Sequence, residues 1–244
     1  MAAAQSTAVL LLSHGSRDPR AESVVSALVV AVSAATGLTV RAAYLGFTAP
    51  GATVALQRLA AEGYTSVRVV PLLFAPGYHL THDVPMAVAA SGVTTRMDVR
   101  MAPALLSGGG RQRDLLLMAL ADRLLAAGAD GQVDALVLAS AGSSSGAARL
   151  HIDRLARDLA NAHGIPVMPA FASTVTPSPA QALQALSNKG IHRPAVASLF
   201  VAPGRLPDSV VAACAAMPVA EPLGVSPAFV DLLVAQAQVP CTVN

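Results

Sequence analysis

Two short histidine-bearing segments carry the residue types most able to do chemistry in this chain. The first is Ser13-His14-Gly15-Ser16-Arg17-Asp18-Pro19, and the second runs from Ala75-Pro76-Gly77-Tyr78-His79 through His82, Asp83 and Pro85. Imidazole is the side chain that ligates divalent metals and also exchanges protons near neutral pH. A glycine next to His14 (Gly15) and one two positions before His79 (Gly77) leave room for a ligand to approach the backbone. Two such segments act together only if the fold brings them to one place, so the elements around them matter.

Apolar, β-branched runs bounded by Gly or Pro predict strands at Ala8–Ser13, Leu38–Tyr44, Val67–Leu73 and Val93–Met101. Helical patterns fall between them at about 19–35, 50–62 and 83–91, with a further helix from Gly110 to Ala127. Alternation of this kind implies right-handed βαβ crossovers and a parallel sheet. Ligands of such sheets sit beyond the C-terminal ends of the strands. The His14 segment follows the first strand and the His79 segment the third, so both open on the same edge.

The chain then repeats itself. Ser13, Gly15, Ser16, Gly37, Pro50, Gly63 and Ala75-Pro76-Gly77 recur 127 positions later as Ser140, Gly142, Ser143, Gly164, Pro177, Gly190 and Ala202-Pro203-Gly204. Leu28/Leu155, Leu56/Leu183 and Leu72/Leu199 keep the same register without a gap. A period this long describes a domain, not a solenoid unit. The fold class expected is therefore α/β, with two tandem domains, 1–128 and 129–244, each a parallel four-stranded sheet flanked by helices. The strands of the second copy are Ala135–Ser140, Val167–Ala172 and Ala195–Val201, followed by a shorter last section. His14 is matched there by Ala141 and His79 by Leu206. The framework persists while both imidazoles disappear, which marks His14 and His79 as functional, not architectural.

Composition narrows the partners. Hydrophobic residues are 54% of the 244 and aromatics 3%, so Ala, Val and Leu build the core. A net charge of +2 and the lack of any Lys/Arg run exclude a nucleic-acid binder. Ser23 to Val40 is uncharged, but its apolar residues follow one helical face. The second-copy partner of the helix it belongs to carries Arg149, Asp153, Arg154, Arg157 and Asp158, so neither copy is a membrane span. Cys214 and Cys241 have no metal-ligand spacing, and residues 1–7 lack the basic residues of a signal peptide. A cytoplasmic protein without membrane or nucleic-acid partners, working as a monomer, is expected.

The chain resembles the sirohydrochlorin chelatase family of siroheme and cobalamin synthesis, in its long form of two fused domains. The resemblance rests on His14-Gly15-Ser16-Arg17 after the first strand, on the Gly-x-His-x-x-x-Asp-x-Pro pattern from Gly77 to Pro85, and on the repeat. It implies a lyase that inserts Fe²⁺ or Co²⁺, a substrate metal and not a resident cofactor, into a tetrapyrrole bearing eight carboxylates. His14 and His79 would then be both metal ligands and bases. Gly15 and Gly77 would admit the flat ring, with Tyr78 beside them. Arg17, Arg20 and, from the second copy, Arg205 would pair its carboxylates. Gly46 stands where the family commonly has a carboxylate, with His82 or Asp83 as replacements. By the same resemblance, long cobalt-inserting relatives often carry a histidine-rich stretch or cysteine cluster near the C-terminus; Val239 to Asn244 hold neither, so iron is expected over cobalt.

Other residues read more plainly. Asp83 before Pro85 is expected to be a helix N-cap, and His151, His163 and His192 to be surface residues. Ser143-Ser144-Ser145-Gly146 suits a turn better than an anion cradle. A phosphohistidine-type phosphatase needs an arginine before the histidine, where Ser13 stands. A carrier that binds metal or tetrapyrrole without turnover is the non-enzymatic alternative, favoured by Gly46 and opposed by the two histidines.

Overall fold

The computed structural model describes residues 6–76, 82–173 and 175–238. Its elements alternate as the sequence implies. In the first half they are β1 (Thr7–Ser13), α1 (Pro19–Thr36), β2 (Thr39–Tyr44), α2 (Ala52–Ala61), β3 (Ser66–Pro71), α3 (Val84–Ser91) and β4 (Asp98–Met101). After α4 (Arg111–Ala126) come β5 (Ala135–Ser140), α5 (Gly146–His163), β6 (Val167–Phe171), α6 (Pro179–Ser187), β7 (Pro194–Ser198), α7 (Arg205–Ala213) and α8 (Pro227–Gln238).

The first sheet is parallel, in the order β2-β1-β3-β4, with Ser13 opposite Tyr44 and Leu12 opposite Pro71. β1 is buried on both faces: Ala8 through Leu12 are all fully inaccessible. One face packs against α2 and α3 through Leu10, Leu12, Leu56, Leu59 and Val84. α1 buries Val25, Leu28 and Val32, the i, i+3, i+7 stripe. Each such side chain contributes about 1.5–3 kcal/mol on burial.

β4 begins later than the sequence pattern suggests. Val93 and Met97, four apart, are both buried, and the amide of Met97 donates to the carbonyl of Val93 at 2.9 Å. That spacing is one helical turn, so the segment coils before extending.

The second sheet is also parallel, β6-β5-β7. Where a fourth strand is expected there is a single bridge, Val196 to Val219. Pro218 and Pro222 flank it and lack the amides a ladder needs. The homologous loops keep their form: cis Ala49–Pro50 has its counterpart in cis Thr176–Pro177, and positive-φ Gly15 in Gly142.

Division by packing differs from division by repeat. One compact unit comprises residues 1–112 and 230–244, the other 113–229. Polar groups explain the return of the C-terminal helix to the first unit. Buried Arg68 donates to the carbonyl of Gln236, and the fully buried Gln236 amide donates to the carbonyl of Pro103. In the second unit α4 is held by an Arg113–Asp158 ion pair and by Arg123 donating to the carbonyl of Leu223. No helix among the described residues is long and apolar enough to cross a membrane.

Asp18 caps α1, its carboxylate accepting from the amide of Arg20 at 2.9 Å and from the Arg20 side chain. Those bonds hold its carboxyl below the usual aspartate range, the side-chain bond contributing most. A depressed folded pKa gives stability that is complete above the ordinary aspartate value and lost as pH falls through the lower one. Asp18→Ala is therefore expected to lower the thermal midpoint at neutral pH and to differ less from wild type near pH about 2. Asp18→Asn keeps a capping oxygen and should melt above the alanine variant at neutral pH. Thermal melts of all three at both pH values check this.

Candidate active site at the strand ends of the first unit

In a sheet ordered β2-β1-β3-β4, connections leave β1 on one side and β3 on the other, so the topological switch lies between them. The loops following these two strands flank the crevice where ligands of such sheets bind. The His14 loop follows β1. β3 continues past its end through the amide of Leu72, which donates to the carbonyl of Leu12 at 2.8 Å, and reaches Pro76 half-buried. Gly77, Tyr78 and His79 come next in sequence and lie outside the described residues.

The loops after β1 and β2 are zipped together by their backbones. The amide of Leu45 donates to the carbonyl of Ser13 and that of Gly46 to the carbonyl of His14, both at 3.0 Å. Further out, the Thr48 hydroxyl accepts from the amide of Ser16 and donates to its carbonyl. Gly15 is required here twice over. Its φ is +87°, and an added Cβ would lie 1.7 Å from the carbonyl oxygen of Gly46.

This contact places a residue that the sequence reading missed. Phe47 has a φ of 62°, and the amide of Thr48 donates across it to the carbonyl of Gly46 at 2.7 Å, as in a positive-φ γ-turn. For a side chain other than glycine the left-handed region costs about 1–2 kcal/mol. Phe47 is nonetheless 65% exposed. Its ring stacks on His14, with centroids 6.2 Å apart and planes 20° apart, and the Arg17 guanidinium carbon lies 5.2 Å from its centroid. The available signal was compositional: one of only five phenylalanines sits between Gly46 and the small residues Thr48 to Gly51.

The remaining expected residues divide. His14 and Arg17 are exposed at the strand ends, with Gly15 between them. Arg20 instead grips Asp18, at 2.6 Å. His82 is exposed at the start of α3. Asp83 occupies the N-cap position without a side-chain cap bond: its backbone is already helical, φ −68° and ψ −37°, and Pro85 removes one of the amides a cap would satisfy. A Cβ added at Gly46 meets nothing within 4 Å, so the loop is not closed to a larger side chain there. Tyr44 beneath the loop is buried, which pushes its phenol pKa up, with the charge of Glu22 adding to the effect.

In the second unit the same scaffold stands without the imidazoles. The amide of Ser173 donates to the carbonyl of Ala141 at 3.0 Å, as Gly46 does to His14. Leu206 packs half-buried against that unit's core, and Arg205 is exposed at the first turn of α7. Ser145 caps α5, as a turn reading of its loop requires. His163 and His192 are exposed, while His151 is half-buried. Burial of Cys214 raises its thiol pKa. Among the described residues no three His, Cys, Asp or Glu side chains gather as a metal cage.

The architecture is that of a tandem α/β protein with a histidine at the strand-end loop of one copy. The CbiX family model matches residues 8–119 and again 135–239, and the chain belongs to that family. A sirohydrochlorin cobaltochelatase of Methanothermobacter thermautotrophicus is 32% identical over 77 residues, 32% of this chain and 54% of that protein. One of Saccharolobus islandicus is 37% identical over 84 residues, 34% of this chain and 65% of that protein. The matched segments thus span less than two thirds of these relatives. Among solved structures, SirB from Bacillus subtilis with Fe³⁺ superposes with a TM-score of 0.78 at 20% identity, covering 95% of this chain and 94% of SirB. CbiX, described as the terminal enzyme for biosynthesis of siroheme in denitrifying bacteria, gives 0.68 at 22% identity, covering 95% and 99%.

Gly15→Ala is expected to separate the two loops, because a methyl group cannot sit against the Gly46 carbonyl. The variant should lose stability and lose the His14–Phe47 stacking together. Gly37→Ala, whose Cβ meets nothing within 4 Å, is the control for positive-φ strain alone. Thermal melts with aromatic-region NMR separate the two. Equal effects of both substitutions would contradict the close-approach argument.

Proposed function

We propose that the protein inserts a divalent metal into sirohydrochlorin, with Fe²⁺ favoured and Co²⁺ also accepted, as a step of siroheme or cobalamin biosynthesis. The observation that carries this reading is the His14 loop at the topological switch of a CbiX-family domain, beside the start of the loop that bears His79. Family membership and the names of the relatives support the substrate class.

Insertion exchanges two pyrrole N–H protons for one M²⁺. His14 and His79 are assigned both tasks, holding the incoming metal through neutral imidazole and accepting the protons. Gly15, Gly77 and Tyr78 are assigned to binding the ring, and Arg17 to pairing its carboxylates. The metal is a substrate delivered and released, with no permanently bound cofactor. Work is divided along the repeat: residues 1–128 hold the catalytic groups, and 129–244 supply shape and charge, with Arg205 offering a cation. The protein is proposed to act as a cytoplasmic monomer without nucleic-acid or membrane partners; its net charge of +2 supports the absence of a nucleic-acid partner.

Gly46, in the position where the resemblance places an acid, favours a second reading, a carrier that binds metal or tetrapyrrole without turnover. Anaerobic incubation with sirohydrochlorin and Fe²⁺ or Co²⁺, followed by absorbance, distinguishes them. Acceleration over the protein-free rate supports the chelatase, fastest with Fe²⁺; binding without acceleration supports the carrier. An exposed cation paired with a carboxylate contributes little, so Arg205→Ala should raise KM by about threefold and leave kcat unchanged. Loss of kcat in that variant would make the second domain catalytic.

A further inference from the structure

Phe47 combines three features that rarely meet: a positive φ, an exposed aromatic ring, and contact with both a candidate base and a candidate carboxylate-pairing cation. Burial does not explain the ring, since most of it faces solvent. Nor does the turn require it. The amide of Val175 donates to the carbonyl of Ser173 at 2.8 Å, the same bond that spans Phe47 in the first unit, so the turn belongs to the fold. What differs is the trio of side chains. His14, Arg17 and Phe47 are replaced in the second copy by Ala141, Ser144 and Thr174, all three lost together from a scaffold that keeps its glycine, proline and backbone bonds.

We infer that Phe47 is a positioning residue: its ring fixes the plane of the His14 imidazole and the place of the Arg17 guanidinium at the crevice. Stacking on a ring held by a closed backbone turn restricts rotation of the His14 imidazole. The same ring, through its negatively charged face, holds the guanidinium without consuming its hydrogen-bond donors, which stay available for a carboxylate. An acidic side chain at this position would bind Arg17 more tightly and would compete with the substrate for it. One aromatic thus orients the group that moves metal and protons and the group that meets the ring's acidic rim.

The assignment of function to this orientation rests on the chelatase reading, and the test keeps the two apart. Phe47→Leu retains apolar bulk without a ring, and Phe47→Tyr retains the ring. The first readout is the His14 ring-proton resonance, displaced by the ring current of its neighbour in the wild type. It should move in Phe47→Leu and stay in Phe47→Tyr. The second is steady-state metal insertion into sirohydrochlorin. Phe47→Leu should lower kcat by about tenfold and raise KM, as misoriented reacting groups do, with the thermal midpoint close to wild type. Phe47→Tyr should restore both constants. An unmoved resonance in Phe47→Leu, or wild-type kcat and KM in that variant, overturns the inference. If the wild type inserts no metal, the chelatase reading fails, and the resonance alone still decides whether Phe47 positions His14.

Discussion

The strand-end loops of the first unit meet backbone to backbone, and that is possible only because Gly15 has no side chain. Its α-carbon lies against the Gly46 carbonyl, at a distance where a methyl group would overlap the oxygen. From this contact follow the amide of Gly46 on the carbonyl of His14, the tight turn beyond it, and the reach of Phe47 to the His14 ring. The sheet supplies the base, since a strand buried on both faces cannot slide without exposing its apolar row. The position of one imidazole is thus set by a chain of backbone contacts beginning in the core.

The second unit works as an internal comparison. It retains the parallel pairing, the cis proline, the positive-φ glycine and the carbonyl–amide contacts of the loop. These are what the fold needs. It lacks the imidazole, the guanidinium and the aromatic ring. These are what the fold does not need, and in the first unit all three are exposed at one point. Leu206, at the position matching His79, packs half-buried against the core of its own unit.

Much of this was legible in the sequence because turn residues and apolar rows obey local rules. Alternating runs located the strands of the first three βα units and of the second sheet, though β4 starts five residues later than its apolar run, and the 127-residue offset gave the tandem α/β plan. Legibility failed where the deciding contact is distant along the chain. The return of the C-terminal helix to the first unit depends on Arg68 bonding the carbonyl of Gln236, 168 positions away. The role of Asp83 turned on a backbone angle, and the stacking of Phe47 on His14 on a turn that no propensity encodes. At the site, Gly15 and His14 of the first loop were evident from motif and repeat, while Phe47 in the loop after β2 was not.

The proposed imidazole chemistry is confined to the first copy, and its most direct test is the rate of metal insertion by His14→Ala and by His79→Ala. Each is measured anaerobically at saturating sirohydrochlorin and metal against wild type and the double variant. The account predicts that either single substitution abolishes insertion above the protein-free rate, that the double variant is no worse, and that thermal midpoints stay near wild type, as for residues acting as one unit. Insertion at wild-type rate in either folded single variant would contradict it.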